Sequence, residues 1–525
     1  MALGPGQPSR SPYKNIYRFS VFAVSFALLV LAYFWATERP AANSALPRNR
    51  SAFAPGGPSW NDLLGLSRSF VTTYTKPRNN LSPESNTTLR PQLRLPSGYV
   101  TSPDVTAIVL NWARLENVKL IVSLLCDPWL SDAVAETFQE AQCAPGKLRV
   151  HNSPENVFFQ ARFLACSEAN TPLCFLQDDD YIILPEVIQA LRTRALAKDD
   201  SAIYLLPPHE YLSSWLKTVV ADKVHTSFAW LGHGVMVHKS LVNKFLATMH
   251  SLKPSDEVMK MADNYFSIVN NVVAETWFDH GIELGGGKPF TAGQEGDERN
   301  KRHIASACAY LDTLLDTGTV DLESVTWASA EDLLKAPCLW SSCLLETNIQ
   351  VLPPRLHQGA RHAKDMLLQE EYSLRNLTEQ DTSHFYNHPL SFAVDGRPQT
   401  SFCGSQNATA GDFMQLDLLS STTWPKGVVD LVWLIPSAGE PILEFSIFDV
   451  SVDGHEWVSV NSMVECEEVP MDLQSTKVNY RLNECSAVLT VEDRSIRFIR
   501  TTLGRNIDFP WCVHEMWLRD GVKPA

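Results

Sequence analysis

The residues of this chain best placed to do chemistry are three consecutive carboxylates, Asp178, Asp179 and Asp180. They follow an uncharged run, Leu173 to Gln177 (LCFLQ), that reads as a buried β-strand. Three adjacent carboxylates repel one another, and a hard divalent cation such as Mn²⁺ or Mg²⁺ relieves that repulsion. A cation held there can neutralise a diphosphate and make a nucleotide a better leaving group when a sugar is transferred. A solvated acidic loop favouring the start of the next helix would show the same residues. Their place directly after an apolar strand favours the chemical reading.

The elements that must position the triplet are legible around it. Val105 to Leu110 (VTAIVL) reads as a buried parallel strand, with a helical stretch from about Leu115. Lys147 to His151 is expected as a strand and Glu155 to Ser167 as a helix. Pro185 to Ala197 has the pattern of a helix with proline in its first turn. Strands alternating with helices predict a mostly parallel α/β sheet, which binds ligands at the carboxyl ends of its strands. Asp178 to Asp180 stand at one such end.

The whole chain has 525 residues, too many for one hydrophobic core, and two or three domains are expected. The formal net charge of −15 leaves no basic footprint for a nucleic-acid partner. Eleven cysteines without a CxxC pair argue against a thiolate zinc site. Cys338 and Cys343 can bridge locally, and the odd count leaves at least one thiol free or paired with another chain.

Phe19 to Ala36 is an uncharged span of 18 residues preceded by Arg10, Lys14 and Arg18. It reads as a transmembrane anchor with residues 1–18 cytoplasmic, giving single-pass type II topology in the Golgi or endoplasmic reticulum membrane. A cleaved signal peptide is the alternative. Residues 37–102, rich in Pro, Ser, Asn and Arg, are expected as a flexible lumenal stem. Sequons start at Asn49, Asn80 and Asn86 in the stem, and at Asn376 and Asn407 further on. A first folded domain is expected over 103–315, a connector over 316–383 and a β-sandwich over 384–525 that folds by itself. Within the sandwich, Phe445 to Val452 and Ile496 to Thr501 alternate, Asp395-Gly396 and Asp453-Gly454 signal turns, and Trp433, Trp457 and Trp517 are expected in the core.

Other signals fail. Gly281 to Lys288 lacks the GxxxxGK spacing, because Ile282 stands where glycine is needed and Pro289 follows the lysine. It reads as a glycine-rich loop near the active site. His357 and His362, five apart, do not share a helical face as two metal ligands would.

Residues from about 103 to 312 resemble the transferase domain of exostosin-type glycosyltransferases, of the GT-A fold. The stretches VTAIVLNWARLENV, ENVFFQARFLACSEANTPLCFLQDDDYIILPEVI, WLGHGVMVHKS and MADNYFSIVNN carry the resemblance in order. It implies that Arg114, Asn156 and Arg162 approach a nucleotide-sugar donor. It also implies that Asp180, helped by Asp178, holds the metal, with Asp178 and Asp179 on ribose or donor sugar. Gly232, His233 and Gly234 would bring backbone close to the donor on the acceptor side. Asp263 would lie beside the reacting sugar, and Arg302 or His303 would meet the diphosphate. Ala262 stands where the family often has a second acid. Retention of anomeric configuration and a UDP-sugar are implied likewise. Residues from about 384 to 522 resemble discoidin-like, coagulation factor type C, galactose-binding sandwiches, through LSFAVDGRPQTSF, GDFMQLDL, FDVSVDGHEWVSV, IRFIRTTL and PWCVHEMWLRDG. The expected function is metal-dependent transfer of a sugar from a nucleotide-sugar to a glycan, glycoprotein or glycolipid. The alternative is a membrane-tethered carbohydrate-binding or adhesion protein whose transferase domain does not turn over.

Overall fold

Five strands form the first sheet: β1 (Val105–Val109), β2 (Leu173–Gln177), β3 (Ala202–Leu206), β4 (Gly234–His238) and β5 (Glu275–Phe278). They belong to a computed structural model that describes residues 103–520, except 112–113, 127–147, 152, 198–201, 208–209, 211–217, 221–223, 227, 272–273, 285–293, 319–332, 340–342, 353–361, 366–374, 424–426, 470–480 and 492–494. The expected tail, anchor and stem, their three sequons, and His357 lie outside the described residues. No helix among the described residues is long and apolar enough to cross a membrane.

The spatial order is β1-β2-β4-β3-β5. β1 runs parallel to β2, and β3 parallel to β5, while β4 is antiparallel to both its neighbours. Four strands therefore share one direction, and the reversed β4 in the middle makes the sheet mixed. Every residue of β2 and β3 is buried, as expected for strands covered on both faces. The covering helices include α1 (Leu115–Leu125), α2 (Gln160–Glu168), α3 (Pro185–Leu196), α4 (Lys239–Leu252) and α5 (Gln294–Asp316). In α3 the proline opens the first turn, and Val187, Ile188, Leu191 and Ala195 recur at helical spacing to bury one face.

Two local expectations need correction. The helix expected from Glu155 starts at Gln160. The backbone N–H of Phe158 donates to Asn156 Oδ1 at 2.9 Å, and Phe158 has φ of 50°, a turn that no α-helix contains. The strand expected from Lys147 shrinks to one bridging residue, Leu148, among the described residues.

Beyond residue 333 the strands are β6 (Leu334–Pro337), β7 (Leu344–Thr347), β8 (Phe402–Asn407), β9 (Phe413–Thr423), β10 (Val428–Pro436), β11 (Ser446–Ser451), β12 (Val458–Ser459), β13 (Ser462–Glu468), β14 (Leu482–Thr490), β15 (Ser495–Leu503), β16 (Pro510–Val513) and β17 (Glu515–Asp520). A six-stranded antiparallel sheet, β6-β7-β9-β15-β11-β12, and a four-stranded one, β13-β14-β10-β17, make a β-sandwich, with β8 and β16 as a separate pair. Leu416, Phe448 and Ile499 from one sheet share a core with Leu431, Trp433 and Ala487 from the other. Gly396 and Gly454 have φ of 73° and 79°, as the turn signals require.

The sandwich starts earlier than its alternating pattern suggests. β6 and β7 lie inside the segment expected as a connector, and they form one edge of the larger sheet. They are four-residue strands joined across the Cys338–Cys343 disulfide, and one ends in Pro337, so they lack a readable alternation. Leu334 and Ala336 share a core with Phe278, and Leu344 and Leu419 share another with Phe175 and Trp277. The sandwich is thus packed onto the first sheet without an apolar gap, and residues 384–525 lack two of its strands. Trp433 is in the core, but its aromatic neighbour there is Trp511; Trp457 and Trp517 are only half-buried.

Further disulfides join Cys166 to Cys174, Cys403 to Cys512 and Cys466 to Cys485, and Cys126 is also disulfide-bonded.

Candidate active site

Along one edge of the first sheet, four strands end and the reversed β4 begins. That edge collects Asn111 and Arg114 after β1, Asp178 to Asp180 after β2, Glu210 after β3 and Asp279 after β5. Gly232 and His233 arrive there just before β4. Strand direction alone brings these distant residues together.

Arg114 precedes α1, and its backbone N–H donates to Asn111 Oδ1 at 3.1 Å. Its Nη1 donates to Asp179 Oδ1 at 2.8 Å and lies 3.3 Å from Asp180 Oδ2. Asn117 Nδ2 donates to the Asp179 carbonyl at 2.8 Å. Arg162, on α2, is fully buried beneath the triplet. Its Nη2 donates to Asp178 Oδ1 at 2.7 Å and lies 3.2 Å from Asp263 Oδ2. One guanidinium therefore gathers two carboxylates from distant parts of the sequence. Arg162 Nε and Nη1, Asp263 Oδ1 and Asp179 Oδ2 are buried and make no hydrogen bond among the described residues.

Gly232 is required by a close approach. The Asp178 N–H donates to the Gly232 carbonyl at 2.9 Å, and a Cβ on Gly232 would lie 2.6 Å from Asp178 Oδ2. Gly234 sits inside β4, where a Cβ would meet Leu205 and Phe175, so its smallness serves sheet packing. The His233 ring is buried, with Nε2 2.9 Å from Asp279 Oδ2 and the Tyr181 ring edge-on at 4.4 Å. Gly281, at φ of 55°, presses on that ring, since a Cβ there would come within 2.8 Å of it.

Burial in low dielectric raises the pKa values of four carboxyls in this region, Asp178, Asp180, Asp263 and Glu210. Asp178 is raised by burial, against the pull of Arg162. Asp180 is pushed up to about 6, by burial and then by Asp178. Asp263 and Glu210 are each pushed up to about 7 by burial, held back by Arg162 and by His233 respectively. The edge thus concentrates acids against two arginines and one histidine. Among the described residues, no group of three or more His, Cys, Asp or Glu side chains is arranged to hold a metal ion.

Not every expected site residue joins this cluster. Asn156 is exposed and its side chain shapes the turn before α2. Arg162 faces carboxylates from below and presents no surface to a diphosphate. Arg302 is exposed on α5, 3.8 Å from Glu257. His303 is buried and hydrogen-bonded to the Tyr265 hydroxyl at 2.9 Å, and neither it nor Arg302 is shown bonded to the triplet. The sequence reading missed Asn117, Glu210 and Asp279. Only Asp279 left a signal, because ETWF followed by an acid repeats the form of LCFLQ followed by Asp178.

No protein-family model matches this chain, and no curated protein matches it. Among solved structures it is similar to chitosan-binding module 1 of a chitosanase/glucanase from Paenibacillus sp. IK-5, at 17% identity, covering 25% of this chain and 86% of that one with a TM-score of 0.17. CBM32-1, from a family 31 glycoside hydrolase of Clostridium perfringens, is 16% identical over 24% of this chain and 80% of its own, with a TM-score of 0.18. The family 32 carbohydrate-binding module of NanJ from Clostridium perfringens, solved with galactose, is 11% identical over 25% and 83%, with a TM-score of 0.17.

Proposed function

We propose that this protein is a metal-dependent glycosyltransferase that moves a sugar from a nucleotide-sugar, a UDP-sugar in the first instance, to a glycan, glycoprotein or glycolipid in the secretory pathway. One observation carries the reading: Asp178 to Asp180, Asp263 and Gly232 converge at the strand-end edge of an α/β sheet with buried, unsatisfied polar atoms among them. The resemblance to exostosin-type enzymes runs through the same residues.

Asp180 is the residue best suited to hold Mn²⁺ or Mg²⁺. Its side chain is 32% exposed at the mouth of the edge, and such ions take most of their ligands from phosphate and water. A single carboxylate suits an ion that arrives with the donor better than a protein cage would. When bound, the ion supplies charge neutralisation for the departing diphosphate. Arg114 and Asn117 fix Asp179. Arg162 holds Asp178 and Asp263 side by side, where they can accept hydrogen bonds from ribose and sugar hydroxyls.

We assign the sandwich a carbohydrate-binding, discoidin-like role, in keeping with its likeness to such modules. A type II lumenal placement draws support from several disulfides, which need an oxidising compartment, and from exposed asparagines in the sequons at Asn376 and Asn407. Protease protection on sealed microsomes tests that placement, and digestion of the sandwich without detergent would refute it.

A second reading, a tethered carbohydrate-binding or adhesion protein without turnover, draws on the arginines that already engage the triplet. Calorimetry with UDP and Mn²⁺, together with donor hydrolysis by the lumenal chain with and without chelator, separates the two. Metal-dependent UDP binding and hydrolysis are expected. Absence of both selects the second reading.

A further inference from the structure

β5 is the strand of the first sheet most closely held by the sandwich and by residues leading into it. Glu275, at its start, accepts hydrogen bonds from Lys335 Nζ of β6 at 3.0 Å and from Trp277 Nε1 at 3.0 Å. Arg194 of α3 lies 3.4 Å from the same carboxylate and reaches Glu346 of β7 and Asp417 of β9 at 3.5 and 3.6 Å. The Phe278 ring, at the end of the strand, is 5.8 Å from Phe385. His280 stacks on Phe392 at 4.5 Å, nearly parallel, with its Nδ1 2.9 Å from Ser391 Oγ. Between Phe278 and His280 stands Asp279, the partner of the buried His233.

We propose that Glu275 and His280 are positioning residues through which the sandwich fixes the end of β5, and with it the Asp279–His233 pair beside the acidic triplet. A module that only recruited glycans would need no charged and aromatic grip on this strand. The grip here is continuous from Glu275 to His280 and spans the residue that enters the site. The sandwich is on this view a wall of the catalytic edge, and the site is incomplete without it. The consequence for turnover rests on the transferase reading, but the placement of Asp279 does not.

The test uses the lumenal chain with three sandwich-side substitutions remote from the triplet: Ser391→Ala, Lys335→Met and, as the charge-retaining control, Lys335→Arg. Amide hydrogen exchange over 276–280 and the ring nitrogen resonance of His233 are read alongside UDP–Mn²⁺ affinity and turnover. In Ser391→Ala and Lys335→Met, exchange over 276–280 should rise at least about 10-fold beyond any change in β2 and β14, and the His233 signal should shift. Lys335→Arg should restore both. Exchange that rises equally in all strands, or an unmoved His233 signal in folded variants, would overturn the proposal. Should the parent chain prove to have no turnover, the transferase reading falls, while exchange and resonance still decide this one.

Discussion

Two arginines, the buried Arg162 and the half-buried Arg497, hold aspartates in opposite ways. Arg497, on β15, grips Asp417 with two nitrogens at 2.6 and 2.8 Å, and the Leu419 N–H donates to the same carboxylate at 2.8 Å. Asp417 is fully buried and satisfied, as a charge kept for stability should be. Arg162 is fully buried but uses one nitrogen for two carboxylates and leaves two others without a hydrogen bond among the described residues. Leaving buried polar atoms unmet costs about 1–3 kcal/mol each. A fold tolerates that cost where a ligand or a coupled proton completes the arrangement. The contrast separates charge that builds the molecule from charge that awaits a partner.

Substituting each arginine puts that contrast at risk. Arg162→Met leaves the half-buried Asp178 and Asp263 together without a countercharge, and a loss of about 3 kcal/mol in thermal or denaturant unfolding is expected. UDP–Mn²⁺ binding should vanish with it. Arg497→Met should cost about 1.5–3 kcal/mol, because Leu419 and Arg194 still face Asp417, and should leave nucleotide affinity unchanged. Equal effects on nucleotide binding would erase the distinction.

Asp180→Asn removes charge and keeps shape. A fall in turnover of at least about 100-fold, roughly 3 kcal/mol of transition-state stabilisation, is expected, with weaker UDP–Mn²⁺ binding in calorimetry. Asp263→Asn should slow turnover while metal-dependent UDP binding survives. Gly232→Ala forces a methyl group against Asp178 and should cost about 1–3 kcal/mol in stability, together with donor affinity. The smallest effect concerns pH. With Asp180 titrating at about 6, metal-dependent UDP binding needs its ionised form, so affinity should fall as pH drops through 6, by at most about tenfold per unit below it. A shallower fall between pH 5 and 7 in the Asp180→Asn variant is the control, the remainder coming from the terminal phosphate of UDP and from Asp263 and Glu210.

The sequence is most readable where one physical signal dominates. β2 and α3 stand almost where an uncharged apolar run and a proline-led helical period place them. The alternating strands β11 and β15 are equally plain. β6 and β7 were hidden because four residues cannot show a period, and Pro337 and the cysteines broke what little there was. In the site, the triplet was legible because it carries its reason locally, whereas Gly232 came only through the resemblance, and the close approach of Asp178 that requires it is a contact between distant segments. Arg162 was legible as a residue but not in its role, since burial beneath Asp178 depends on where α2 packs. Asn156, Arg302 and His303 were placed by order along the chain, and three-dimensional packing took them elsewhere. Glu210 gave no sign, because the reversed strand that completes its neighbourhood is a property of the whole sheet.

The disulfide between Cys166 and Cys174 has a consequence for how the protein can be made. It ties the end of α2, which carries Arg162, to the start of β2, which leads into Asp178. Closing such a short loop removes chain entropy that would otherwise oppose bringing arginine and acid into register. A chain produced in a reducing cytosol lacks this tie and must meet two half-buried carboxylates with one unconstrained arginine. Recombinant material from reducing hosts should therefore be soluble only in part and heterogeneous at this site, whereas secretion through an oxidising compartment should yield a uniform product. The bond makes the pairing of Arg162 with Asp178 depend on the redox state of the compartment in which the chain folds.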